Sequence, residues 1–268
     1  MRRIFLYVLA LCALAGCDMM DYHPYDTRLH GARNINATAI QQIEKIAQGR
    51  STLKFAVFSD TQRWYDETRR IVNHINLQPG IDFAIHCGDL TDFGITDEFE
   101  WMHDELSRLN MPYVAVLGNH DCLATGRNTF RAMYGAYDFS FNVGTTHFLC
   151  LNTNGLEFKY PFETPNLAFM ETDAATLPDS IRQTVVVMHA APLSDQFHYL
   201  LVQKYLKNIE AYPNVLFGLG GHEHNACVRN VENHAVPYYL TDCAEMLMYY
   251  IFTLNENGTY EYEEVWIK

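Results

Sequence analysis

No Cys-x-x-Cys pair occurs anywhere in the 268 residues, although the chain has seven cysteines. Cys12 and Cys17 lie in the N-terminal stretch; the others are Cys87, Cys122, Cys150, Cys227 and Cys243. An odd number without paired spacing argues against a disulfide framework. Several sit in apolar runs such as FAIHCGD and HFLCLN, where a cysteine reads as a small buried hydrophobe. Positive charge is also scarce: 19 Lys and Arg face 32 Asp and Glu, a formal net charge of −13. That argues against a nucleic-acid-binding module, which needs a basic patch. A small phosphorylated substrate is not excluded, because local positive charge or bound metal is enough to hold it. Past the N-terminus no apolar run approaches the ~20 residues of a transmembrane helix. Internal repeats, low-complexity tracts and a clean linker are lacking too. What remains is an ordinary globular composition, 49% hydrophobic and 19% charged.

The N-terminal stretch MRRIFLYVLALCALAGC has Arg2 and Arg3, then an apolar run from Ile4 to Ala15. This is the pattern of a signal peptide, too short to span a bilayer. It ends in Leu14-Ala15-Gly16-Cys17, which resembles the lipobox of bacterial lipoproteins. The resemblance implies cleavage before Cys17, a lipid on that residue, and an extracytoplasmic protein anchored to a bacterial membrane. Residues 1–16 then form the signal peptide, 17–37 a tether, and 38–268 one domain.

From there apolar runs alternate in character. ATAIQQIEKIAQ reads as a helix with Ile40, Ile43 and Ala47 on one stripe, and Gly49 stops it. LKFAVFSD is a strand, and YDETRRIVNHIN a helix with Arg69, Val72 and Ile75 at helical spacing. IDFAIHCGD is a strand, followed by the helix TDEFEWMHDELSRLN with Thr96 as N-cap and Phe99, Met102, Leu106 and Leu109 inward. PYVAVLGN is a third strand and RNTFRAMYG a short helix. FSFNVGTTHFLCLNTN reads as a hairpin turning at Gly144. NLAFMETDAATL is a helix, RQTVVVMHA a strand, SDQFHYLLVQKYLKNIE a helix, and NVLFGLGGHEH a strand and loop. The last twenty residues read as a hairpin around Asn257-Gly258. The pattern predicts an α/β fold of two packed sheets with helices outside.

Polar residues with metal-binding atoms stand where apolar strands end. The first strand ends in Asp60, with Gln62 two residues on; the second in Gly88-Asp89-Leu90-Thr91-Asp92; the third in Gly118-Asn119-His120-Asp121. TVVVM ends in His189, and VLFGLG in Gly221-His222-Glu223-His224. In open α/β sheets ligands bind beyond the carboxyl ends of the strands. Carboxylate, imidazole and amide oxygen suit first-row divalent ions, and thiolate is not required. The seven that the five strands deliver as Asp60, Asp89, Asn119-His120, His189 and His222-x-His224 suit two ions better than one. Each motif alone has a plainer reading as a capped turn, a core histidine or an exposed loop. Five in order, each after an apolar strand, do not.

Together these motifs resemble the calcineurin-like metallophosphoesterases, across residues 53–225 or so. The resemblance implies an αββα sandwich of two mixed sheets and two divalent metal ions (Mn, Fe, Zn or similar). It implies that Asp89 bridges the ions, that Asp60, Gln62 and His224 complete one site, and that Asn119, His189 and His222 complete the other. Hydroxide held between the metals would attack phosphorus. His120 would assist the leaving oxygen, with Asp92 paired to it, and Asp121 would support the loop. The substrate would be a small phosphomonoester or phosphodiester. The family usually has His where this chain has Gln62. Three readings of the amide stand: it makes the first site richer in oxygen ligands, it makes that site bind metal more loosely, or it turns to substrate or water instead. Arg63 and Arg127 are candidate phosphate contacts, with surface arginine as the plainer reading. Trp64, Tyr65, Tyr160 and Phe162 are candidates to cover the site, and NTNGLEFKYPFETPN is a candidate gating loop. The alternative is a metal-binding scaffold that keeps the site without turnover.

Overall fold

Eleven strands and six α-helices make up the secondary structure of the computed structural model, which describes residues 27–158 and 164–268. The signal peptide, Cys17, Tyr160 and Phe162 lie outside the described residues. Strands β1 (Thr52–Phe58), β2 (Phe83–His86) and β3 (Tyr113–Ala115) run parallel. They share a sheet with β10 (Met248–Asn255) and β11 (Tyr260–Trp266), in the order β11-β10-β1-β2-β3. The second sheet has the order β4-β5-β6-β7-β9-β8, from Phe139–Val143, Thr146–Leu151, Gln183–Met188, Val215–Gly220, Pro237–Leu240 and Cys227–Asn230 respectively. Its central β5, β6, β7 and β9 are parallel, and its edges are antiparallel.

The two sheets face each other across a core that includes Phe55, Val57, Phe83, Phe148, Val187, Phe217 and Phe252. Phe55 stacks on Phe83 at 5.0 Å and meets Phe148 of the other sheet edge-on at 5.7 Å. Each such fully buried ring contributes about 1.5–3 kcal/mol relative to exposure. The outer faces are covered by helices. On the first sheet these are α2 (Tyr65–Leu77), α3 (Thr96–Leu106) and α4 (Gly126–Met133); on the second, α5 (Leu167–Ala175) and α6 (Val202–Ile209). The result is the expected αββα sandwich. Helix α1 (Ile35–Ile46) begins two residues before its predicted start. Its Asn36 both donates to and accepts from the Ala115 backbone at 2.9 Å, which satisfies edge strand β3 in place of a neighbouring strand.

Several predicted details shift for physical reasons. Arg69 is not in the inward stripe of α2, which is Thr68, Ile71, Val72 and Ile75; its guanidinium binds Glu105 of α3 instead. Thr96 is the first helical residue of α3, not its cap. The Glu98 carboxylate accepts from the Phe93 and Ile95 amides and so satisfies the helix start. The helix predicted from Ser194 starts only at Val202, after one 3₁₀ turn at Tyr199–Leu201. Upstream, the Gln196 carbonyl is tied to the Gly155 amide, which holds that segment as a loop. Strands β8 and β9 had no clear period in the sequence and are fixed by pairing with each other and with β7. The five later cysteines are all free. Among the described residues no helix is long and apolar enough to cross a membrane.

Candidate metal centre

The parallel registers bring the strand ends level: Phe58 pairs with His86 and His86 with Ala115, while Leu151 pairs with Met188 and Gly220 with Leu240. The loops that follow are then knitted together by backbone bonds. Asp60 N donates to Gly88 O, Thr61 N and Gln62 N both donate to Asp89 O, and Gly221 N donates to His189 O. Asp60, Asp89, His222 and His224 all have positive φ, at 51°, 58°, 72° and 46°. Backbone strain of this kind, about 1–3 kcal/mol per residue, persists only where the surroundings enforce it, and it gathers at functional sites.

One oxygen or nitrogen from each of Asp60, Asp89 and His189 lies within 4.8 Å of the others, and all three residues are buried. His189 Nε2 is 2.9 Å from Asn119 Oδ1 and 3.4 Å from Asp89 Oδ2. His222 Nδ1 is 3.0 Å from the same Asn119 oxygen. His224 Nε2 stands 3.3 Å from Asp60 Oδ1. Gln62 is 1% exposed, and its Oε1 is buried without a hydrogen-bond partner. An orphaned buried oxygen beside two carboxylates is costly unless a cation completes it. This donor set therefore fits divalent metal. The imidazoles register the same demand for positive charge. Burial opposes the charge on His189, but Asp89 and Asp60 raise its pKa to about 9. The hydrogen bond with Asp60, aided by Cys243, raises His224 to about 10. Burial opposes ionisation of Asp60, and His224 and His189 nonetheless hold its carboxyl below the usual range.

The surrounding residues have separate duties. Asp121 Oδ1 accepts from the Thr91 amide and hydroxyl, and Oδ2 from Gly118 N, so this buried carboxylate ties two loops together. Burial and the charge of Asp89 push its pKa up to about 6. His120 Nδ1 donates to the Asp92 backbone carbonyl at 2.8 Å. The expected side-chain pairing with Asp92 is therefore looser than anticipated: its Oδ1 is 3.7 Å from that nitrogen and is held by Arg63. Glu223 turns away to Arg229. Arg127 lies 5.2 Å over Phe158 in the wall of a cavity of about 700 Å³ that none of the candidate metal-binding residues lines. Trp64 meets the His224 ring at 5.9 Å, and Tyr65 meets Trp101 at 6.3 Å.

Two contacts had no sequence signal. Asp195 Oδ1 is 2.7 Å from His222 Nε2, although it belongs to a loop read as helix. Ser59 bonds Asp60 Oδ2 from the adjacent position. Partners of this kind orient ligating side chains, and losing one typically costs about 10–100-fold in metal affinity. Glycine spacing also matters here. A Cβ on Gly118 would overlap the backbone nitrogen and Oδ1 of Asp89, and one on Gly221 would overlap Ser59 and Asp60. Gly118→Ala is expected to displace Asp89, with about 1–3 kcal/mol lost to overpacking and metal affinity down at least tenfold. Thermal unfolding and metal titration of the variant check this; wild-type affinity would mean the loop has room that the structure does not show.

The fold and the donor set define an αββα sandwich with a candidate divalent-metal centre at its strand ends. The Calcineurin-like phosphoesterase family profile matches residues 53–226, and the chain belongs to that family. Members of the family use divalent metals. The chain is 27% identical over 169 residues to a 3′,5′-cyclic-nucleotide phosphodiesterase of Nostoc sp., covering 60% of this chain and 62% of that protein. It thus spans less than two thirds of that relative. A dimetal phosphatase from Danio rerio superposes with a TM-score of 0.61 at 12% identity, over 76% of this chain and 93% of that one. GAP50, described as the anchor in the inner membrane complex of Plasmodium, gives 0.61 at 15% identity, over 81% and 85%. At these identities both show the shared fold.

Proposed function

We propose that this chain hydrolyses a small phosphomonoester or phosphodiester at a dinuclear metal centre. The observation that carries the reading is the orphaned buried oxygen of Gln62, Oε1, beside the cluster of Asp60, Asp89 and His189. Asp60, Gln62, Asp89 and His224 would hold one ion, and Asp89, Asn119, His189 and His222 the other. The ions, when bound, supply charge neutralisation at the phosphoryl group and a water that ionises near neutral pH. Asp89 suits the shared position because a carboxylate has two anionic oxygens. His120 has Nδ1 engaged by a carbonyl, which leaves Nε2 to hold a proton against the leaving oxygen.

The test is a phosphoester panel run with Mn²⁺, Zn²⁺, Fe²⁺, Ni²⁺ and Mg²⁺. It includes p-nitrophenyl phosphate, its bis-ester and, given the name of the Nostoc relative, cyclic nucleotides. Turnover with one of these metals supports the reading. Stoichiometric metal with no turnover across the panel would instead favour the scaffold. Gln62→His is expected to tighten the first metal and shift preference toward softer ions, because imidazole is the stronger ligand. Calorimetric metal titration measures both; unchanged affinity and preference would mean that Gln62 is not a ligand. The Leu14-Ala15-Gly16-Cys17 stretch supports a lipid on Cys17 and a place at an extracytoplasmic membrane face. Radiolabelled fatty acid incorporation, lost in Cys17→Ser, would test that.

A further inference from the structure

We propose that Arg63 is a phosphate-binding residue that, in the free protein, holds Asp92 away from His120 and passes it over when substrate arrives. This inference rests on the phosphoesterase reading above. Arg63 immediately follows Gln62 and has a left-handed backbone, φ 56°, in the turn closed by the Trp64 amide on the Thr61 and Gln62 carbonyls. Among the described residues its guanidinium meets two groups. One is the Asp92 carboxylate, which it pairs with directly. The other is the Trp64 ring, 5.5 Å away. Each neighbour touches a residue of the site: Asp92 bonds His120 through its carbonyl, and Trp64 meets the His224 ring. The guanidinium is thus one contact removed from both His120 and His224.

The exposures fit a handover. The Arg63 side chain is 55% exposed and the Asp92 side chain 13%. The cation is reachable from solvent while its carboxylate partner is nearly enclosed. A half-exposed ion pair is worth little, so a competing anion displaces it at small cost. A phosphoryl group is the fitting competitor, because a guanidinium fork matches two of its oxygens at once. Asp92 Oδ1 is 3.7 Å from His120 Nδ1, just outside hydrogen-bond distance. Once Arg63 turns to the phosphoryl oxygens, a small shift lets the Asp92 carboxylate share the Nδ1 hydrogen that its own carbonyl holds at 2.8 Å. A carboxylate sharing that hydrogen fixes the ring's orientation, with Nε2 toward the leaving oxygen. Binding of the correct anion thus completes the leaving-group machinery.

Two measurements on full-length protein test the proposal. The first is steady-state kinetics of Arg63→Gln and Arg63→Lys on whichever panel ester the wild type cleaves. Loss of a charge-assisted contact to phosphate raises KM about tenfold or more in Arg63→Gln, with a smaller effect on kcat. Lys restores part of it as a point charge without the fork. The second measurement is the ring N–H proton signal of His120 by NMR in the zinc-loaded protein, assigned by its loss in His120→Gln. Inorganic phosphate should move this signal downfield in the wild type, and in Arg63→Gln it should already be displaced without phosphate. A fall in kcat with unchanged KM would overturn the proposal, as would a His120 signal indifferent to both phosphate and the Arg63 substitution. Failure of the phosphoesterase reading is recognised separately, by absence of wild-type turnover on every ester and metal.

Discussion

Asp89→Asn is expected to abolish stoichiometric metal binding and turnover together while leaving the fold intact. Asp89 is buried at the end of β2, and its two carboxylate oxygens serve different neighbours. Oδ1 accepts from His120 N at 2.9 Å, and Oδ2 lies 3.4 Å from His189 Nε2. Its backbone carbonyl accepts from Thr61 and Gln62, so the loop is positioned independently of the side chain. Asparagine keeps the volume and one acceptor but removes the charge. On the proposed two-ion reading, a position shared by two cations cannot lose its negative charge and still hold both. The expected loss of affinity exceeds the ~10–100-fold seen when an outer partner of a metal ligand is removed. Elemental analysis and turnover measure the effect, with far-UV circular dichroism to establish folding. Full metal content in a folded Asp89→Asn protein would remove Asp89 from the centre.

His120→Gln is expected to separate chemistry from metal binding. The ring is one-third exposed, and Nδ1 is committed to the Asp92 carbonyl. No candidate metal-binding side chain is hydrogen-bonded to the ring. Glutamine can fill the space and retain a polar contact but cannot transfer a proton. Loss of general acid assistance lowers kcat by about 10²–10⁴-fold. The deficit should be greatest for alkyl esters and least for p-nitrophenyl esters, whose leaving oxygen hardly needs a proton. Metal stoichiometry should equal that of the wild type. Equal turnover of wild type and variant on an alkyl phosphate would end the assignment of His120 to the leaving group.

The two substitutions rest on residues of different legibility. Asp89 and His120 were both visible in the sequence because each follows an apolar run that can only be a buried strand. Hydrophobic runs and the glycines beside them are local signals, so the order of strands and the residues at their ends could be read directly. What a side chain does there was less readable. Asp92 was expected to support His120 with its carboxylate, but Arg63, 29 positions earlier, holds that group. Asp195 touches His222 across 27 positions, from a segment whose apolar spacing resembled a helix. Arg127 looked close to the site in sequence but faces Phe158 and a different cavity.

The sequence by itself determined the fold class, the five strand ends and the inventory of oxygen and nitrogen donors, because periodicity and turn chemistry act over a few residues. Only the tertiary structure decided which donors meet. It brought Asp60 to His224, Asn119 to both His189 and His222, and left the Gln62 oxygen buried without a partner. The physical reason is that two sheets must align their carboxyl ends before such contacts exist. That alignment is set by strand register and by the core between the sheets, neither of which any short stretch of the chain contains.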